Sequence, residues 1–213
     1  VVLRARRPVV IAGAGCRPLD AKWLRAFAEA MPAPVLTTPR AKGAIPEPHP
    51  LAMGVFHGRA FDEPLLARSD LVITFGVDPG EAMPRGWRFA APVLALARFP
   101  ASDVTPTGGR TLTPALEVLG DLAMVLEELA PRLGGKAAAD WDVGWIERVR
   151  RERGAGAGAS GPPGALTAER AVQIVRELTP VGTVAAVDGG STGPLVLDAW
   201  LATDLGECLV PAS

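Results

Sequence analysis

Cysteine is scarce in this sequence: 213 residues hold two, Cys16 and Cys208, far apart and without the spacing of a metal site. That usage excludes a disulfide framework and suits a reducing compartment, so the cytoplasm is the expected location. Charge of one sign is also lacking. With 22 Lys and Arg against 23 Asp and Glu, the formal charge is -1 and the isoelectric point near 6.2. Nothing in that balance attracts nucleic acid or an anionic membrane surface, and neither is expected as a partner. No apolar run approaches the about 20 residues of a membrane span. The opening Val1-Val2-Leu3-Arg4-Ala5-Arg6-Arg7 is too short and too basic for a signal peptide. The chain does not begin with Met, which raises the expectation that it is cut from something longer.

What is present is apolar. At 48% hydrophobic and 21% charged, the chain can bury the core of one domain and part of another. Leu71-Val72-Ile73-Thr74-Phe75, entered from Ser69-Asp70 and stopped by Gly76, reads as a strand buried on both faces, as in a parallel sheet covered by helices. Ligands of such sheets lie beyond the carboxyl ends of the strands, so function is sought near Gly76 and Asp78. Residues 8–15 give another strand ending in Gly13-Ala14-Gly15, followed by a helix over 19–31 with Leu19, Trp23, Phe27 and Ala30 on one face and Asp20 as its cap. Glycine lets a backbone approach a phosphate closely, and helix N-H groups attract negative charge. The third glycine of the dinucleotide fingerprint is absent, with Pro18 in its place, so a turn without any ligand stands beside the nucleotide reading.

Further strands are expected at 33–38, 91–96 and 114–119. The proline-rich stretch 39–50 reads as an extended surface loop past a strand end. A short helix is expected over 61–67, an irregular segment over 77–87, and a helix over 122–133 introduced by Gly120-Asp121. Strands alternating with helices, without hairpin signals, mean a parallel sheet with right-handed crossovers. An amphipathic helix over 140–153 carries Trp141, Trp145, Ile146 and Val149, and 154–164 is a Gly/Ala/Pro linker. Thr167 then caps a helix with Ala171, Ile174, Val175 and Leu178 on one face. The strand 182–188 ends in Asp188-Gly189-Gly190-Ser191-Thr192-Gly193, and a helix follows over 195–201. Freed backbone N-H groups with two hydroxyls make a phosphate cradle there; the alternative is a capping turn with a buried aspartate.

The order of these motifs resembles the central domain of thiamine diphosphate-dependent enzymes of the acetolactate synthase and 2-keto acid decarboxylase group. The resemblance rests on residues 8–15, 34–38 with 42–47 and His49-Pro50, Gly54 with His57-Gly58, and 69–76. It implies an α/β fold: a Rossmann-like parallel sheet of about six strands flanked by helices, plus a partial second α/β unit. The implied boundaries are a central nucleotide-binding-type domain at 1–135, a helix and linker at 136–165, and the N-terminal part of a thiamine diphosphate-binding domain at 166–213. In that family the central domain holds FAD, ADP or nothing. By resemblance Gly13, Ala14 and Gly15 would lie along the nucleotide's phosphate or ribose side, Thr37, Thr38, Lys42 and Gly43 near its middle, and His57 and Gly58 near the flavin end, with Gly76 at the strand end. Asp188, Gly190, Ser191 and Thr192 match the start of the diphosphate-binding domain.

The same resemblance implies a parent enzyme, a transferase or lyase that makes or breaks the bond beside the carbonyl of a 2-keto acid with thiamine diphosphate and Mg2+. The parent would be a homodimer or homotetramer. The family's Gly-Asp-Gly metal motif and its activating glutamate domain are missing from this sequence, so the chain by itself is expected to be inactive, with no catalytic or metal residue assigned. Two further readings remain: a stand-alone adenine-nucleotide (FAD, ADP or NAD) module, and a purely structural spacer.

Overall fold

A computed structural model describes residues 1–58, 62–78, 81, 87, 89–100, 113–133, 139–156 and 165–211. Phe61 at the start of the expected short helix, most of the irregular segment 77–87, and residues 157–164 of the linker lie outside the described residues.

Six strands, β1 (Pro8–Ala12), β2 (Val35–Thr37), β3 (Ala52–Val55), β4 (Leu71–Phe75), β5 (Val93–Ala97) and β6 (Leu116–Leu119), form one all-parallel sheet in the order β3-β2-β1-β4-β5-β6. Helices α1 (Pro18–Ala30), α2 (Glu63–Arg68), α3 (Leu122–Leu129) and α4 (Val143–Gly156) accompany it. The order reverses between β1 and β4, which opens a crevice at their carboxyl ends.

Successive side chains of a strand point to opposite faces, and that alternation builds two cores. Val10, Ala12, Ile73 and Phe75 join Leu24, Phe27 and Ala28 of α1 and Leu122 and Leu126 of α3 on one side. Val9, Ile11 and Val72 join Leu65 and Leu66 of α2 and Ile146 and Val149 of α4 on the other. Every residue of β1 and β4 is buried, which is why both read as unbroken apolar runs. Each Val, Leu, Ile or Phe among them contributes about 1.5–3 kcal/mol when buried, so two filled layers dominate the stability of this part.

The expected face of α1 is rotated. Leu24, Phe27 and Ala28 are inside, whereas Leu19 is 63% exposed. Asp20 is not the cap but sits in the first turn, buried, its carboxylate accepting from the Arg17 N-H at 2.8 Å. Tertiary pairing with Arg98 holds it there: two bonds at 2.7 and 2.9 Å offset its desolvation.

Strand β3 falls between the expected elements. It is short, contains Gly54, and is an edge strand whose outward carbonyls need partners. Arg153 of α4 supplies them, donating Nε to Met53 O at 2.7 Å and a terminal nitrogen to Val55 O at 2.8 Å, while its other end pairs with buried Asp62 at 2.8 Å. Stacked Trp141 and Trp145, and the Trp141 ring N-H donated to Pro8 O at 3.0 Å, fasten the start of the same helix.

A second, smaller unit contains α5 (Ala168–Leu178), β7 (Ala185–Ala186), α6 (Gly193–Ala199) and β8 (Cys208–Leu209), with β7 and β8 parallel. Thr167 caps α5 as expected, accepting from the Arg170 N-H at 3.2 Å. Its expected apolar face does not reach a core: no residue of α5 is buried, and Val175 and Leu178 are 52% and 80% exposed.

The stretch 39–50 is not a surface loop. Ala41, Lys42, Ala44 and Ile45 are buried, because the loop is the seam between the two units: the Glu47 N-H donates to Ala202 O at 3.0 Å, and its carboxylate accepts from the Ala202 N-H at 2.7 Å. Val55 likewise packs with Val187, Leu197, Trp200 and Cys208 of the second unit. Among the described residues no helix is long and apolar enough to cross a membrane.

Candidate functional site

The turn after β1 lies at the crevice. The Gly13 N-H donates to Phe75 O at 2.9 Å and the Gly15 N-H to Gly76 O at 2.7 Å, so the turn is stitched to the end of β4. The fit is tight. A Cβ on Gly13 would lie 2.3 Å from Val77 Cα, one on Gly15 2.8 Å from Gly76 O, and one on Gly76, whose φ is +62°, 2.9 Å from Cys16 N. Glycine stands at these three positions because two backbone turns pass through each other's side-chain space.

Glu81 closes the arrangement. It is 9% exposed, and its carboxylate accepts from the Ala14 N-H at 2.9 Å, the Asp78 N-H at 3.0 Å and the Thr38 hydroxyl at 2.5 Å. After β5, Arg98 forks onto Asp20 and onto Asp121, the latter at 2.6 Å. Donation from Arg98, with the Met124 N-H, holds the Asp121 carboxyl below its ordinary range. Cys16 is buried next to the turn; burial first, and then the negative charge of Asp20, push its thiol up to about 12 against a smaller opposing effect of Arg98.

Gly13, Ala14, Gly15, Thr38 and Gly76 are thus brought together at one crevice, with Thr37 buried one residue earlier at the end of β2. The others named from sequence lie elsewhere. The Lys42 ammonium is buried against Glu47, and Gly43 packs under Asp204. His57 and Gly58 follow β3, where His57 Nε2 meets Asp198 Oδ1 of α6 at 2.7 Å. His57 borders a cavity of about 700 Å³ between the two units, lined also by Met53, Val55, Arg150, Arg176 and Leu197.

Asp188, Gly190, Ser191 and Thr192 form the exposed turn between β7 and α6. The turn is braced from inside, with the Gly193 N-H donated to Gly190 O at 3.0 Å. Thr192 makes no side-chain cap and Asp188 is exposed, so the alternative of a capping turn around a buried aspartate does not describe it. Among the described residues no three His, Cys, Asp or Glu side chains are grouped to hold a metal. Neither Glu81 nor Arg98 was singled out as a site residue from sequence; Glu81 meets Thr38 and Ala14, and Arg98 meets Asp20 and Asp121, across gaps of more than 20 residues, and no local pattern marks such pairs.

An α/β protein with a doubly wound sheet, followed by a smaller unit of two parallel strands and two helices, is the class this geometry defines. The pattern of the thiamine pyrophosphate enzyme central domain matches residues 1–129, and the chain belongs to that family. It is 29% identical over 153 residues to a probable acetolactate synthase large subunit of Methanocaldococcus jannaschii, covering 70% of this chain and 25% of that protein. It is 32% identical over 151 residues to the acetolactate synthase large subunit of Corynebacterium glutamicum, covering 68% and 24%. The chain therefore spans about a quarter of the length of these curated relatives. Its fold is that of benzoylformate decarboxylase from Polynucleobacter necessarius, with a TM-score of 0.67 at 19% identity over 100% of this chain and 38% of the other.

Proposed function

We propose that the protein to which this chain belongs is a thiamine diphosphate-dependent enzyme of the acetolactate synthase type, a transferase or lyase acting on 2-keto acids. The observation that carries the reading is the match of residues 1–129 to the family's central domain, together with acetolactate synthases as relatives across about 70% of the chain. That likeness favours the enzyme over a stand-alone nucleotide module or a spacer. In this reading the cofactor, when bound, supplies the nucleophile and the electron sink for chemistry beside the keto carbonyl.

The residues present fit one wall of its site. The exposed Ser191 and Thr192 hydroxyls, at a turn where neither is used as a side-chain cap, are suited to hydrogen-bond diphosphate oxygens, with Gly190 leaving room for close approach. Asp188 opens the same turn by the pattern of that domain, and the described residues offer no cluster to hold the Mg2+ itself. Subunit pairing as a homodimer or homotetramer, a cytoplasmic location and inactivity of the 213-residue chain alone belong to the same reading. FAD or ADP on the middle domain does not, for the reason given next.

The test is turnover by the protein expressed from its complete gene, with pyruvate and other 2-keto acids, thiamine diphosphate and Mg2+. Carbon dioxide release that depends on the cofactor is expected. Ser191→Ala with Thr192→Ala should weaken cofactor binding at least about tenfold, the loss of one charge-assisted hydrogen bond. A protein that releases nothing from any 2-keto acid is not this enzyme.

A further inference from the structure

We infer that the phosphate-type cradle of the middle domain is filled by the chain's own Glu81, which stands where a dinucleotide's diphosphate would sit, so that this domain carries neither FAD nor ADP. The donor set is the kind that binds anions: the main-chain N-H of Ala14 from the turn after β1, the main-chain N-H of Asp78 from the turn after β4, and the Thr38 hydroxyl from the end of β2. The three converge at the switch point of the sheet, the place where an open α/β sheet receives its ligand. All three donate to the one carboxylate, and a donor so engaged is not available to phosphate.

Shape and charge agree with this. The space that glycine gives a phosphate in a nucleotide turn is taken here by backbone, since Gly13 faces Val77 Cα and Glu81 Oε2 while Gly15 faces Gly76 O. Arg98, the guanidinium at the first turn of α1, is already forked on two carboxylates, Asp20 and Asp121. Both of its terminal nitrogens are thereby engaged, by Asp121 and by Asp20, and are not free to meet a diphosphate. Glu81 thereby does permanently what a bound ligand does in a cofactor-dependent fold: it satisfies the buried donors and pins three strand ends together.

The test is a calorimetric titration of the intact protein with FAD and, separately, with ADP, beside thermal melts of Glu81→Ala and Glu81→Gln in the presence and absence of inorganic phosphate. No heat of FAD or ADP binding is expected for the wild type. Glu81→Ala empties the cradle and should melt earlier, with phosphate recovering part of the loss in the variant and none in the wild type. Glu81→Gln keeps the shape but turns an amide N-H2 toward a donor, so it too should melt earlier. If Glu81→Ala does not fold, the wild-type titration and the glutamine variant still decide. Stoichiometric FAD or ADP binding by the wild type overturns the inference, as does a Glu81→Gln melting point equal to the wild type's. FAD binding would leave the keto-acid reading untouched, and absence of keto-acid turnover would leave Glu81 untouched, so the two fail separately.

Discussion

Gly43 lies directly beneath Asp204: a Cβ at Gly43 would stand 2.0 Å from the Asp204 carbonyl oxygen, and the residue adopts φ +87°. This is where the loop after β2 meets the second unit, and both the backbone conformation and the space demand glycine. Gly54 offers an internal comparison, with φ +80° and nothing within 4 Å of the same position. Gly54→Ala should therefore cost only the conformational term, about 1–2 kcal/mol. Gly43→Ala should cost more, because two backbones must also separate. Urea midpoints of the two variants measure the difference; equal midpoints would mean that the seam yields freely.

Arg98 and Asp121 set an acid limit on the first domain. The folded carboxyl of Asp121 lies below its ordinary value, chiefly through the hydrogen bond from Arg98. Its contribution is therefore complete above the unfolded value of about 3.9 and is lost as the pH falls through the lower folded value. Asn is as good an N-cap as Asp, so Asp121→Asn keeps the start of α3 and removes only the charge. The variant should melt earlier than the wild type near neutral pH, and the gap should close below about pH 4. A gap that persists in acid would show that the pair is not the cause.

Cys16 should be chemically silent. Its thiol, pushed up to about 12 chiefly by burial, stays protonated at ordinary pH, and the thiolate is the reactive form. Burial raises Cys208 in the same direction. Ellman's reagent at about pH 8, where a free cysteine near 8.5 is already partly ionised, should find almost no fast thiol in the native protein and both after unfolding. A fast native thiol that disappears in Cys16→Ser would contradict the buried placement.

The legible part of the fold was the part with local causes. The runs of β1 and β4 announce themselves because both of their faces are covered, and Asp121 and Thr167 announce helix starts because a cap acts over three residues. Strand β3 was hidden by its length and its glycine, and the burial of 41–45 by prolines that elsewhere mark surface loops. The rotated face of α1 was hidden by Asp20, a carboxylate that a pattern places outside and that Arg98 draws in.

The parallel sheet, its alternation with helices and the family were contained in the residues themselves, because apolar periodicity and turn chemistry are short-range properties that each segment carries alone. The meaning of the glycine turn was not. Glu81 lies 67 positions from Ala14 and becomes its partner only when β1 and β4 lie side by side. Hydrogen-bond satisfaction is settled between distant segments, and folding alone assigned that anion cradle to the chain's own carboxylate.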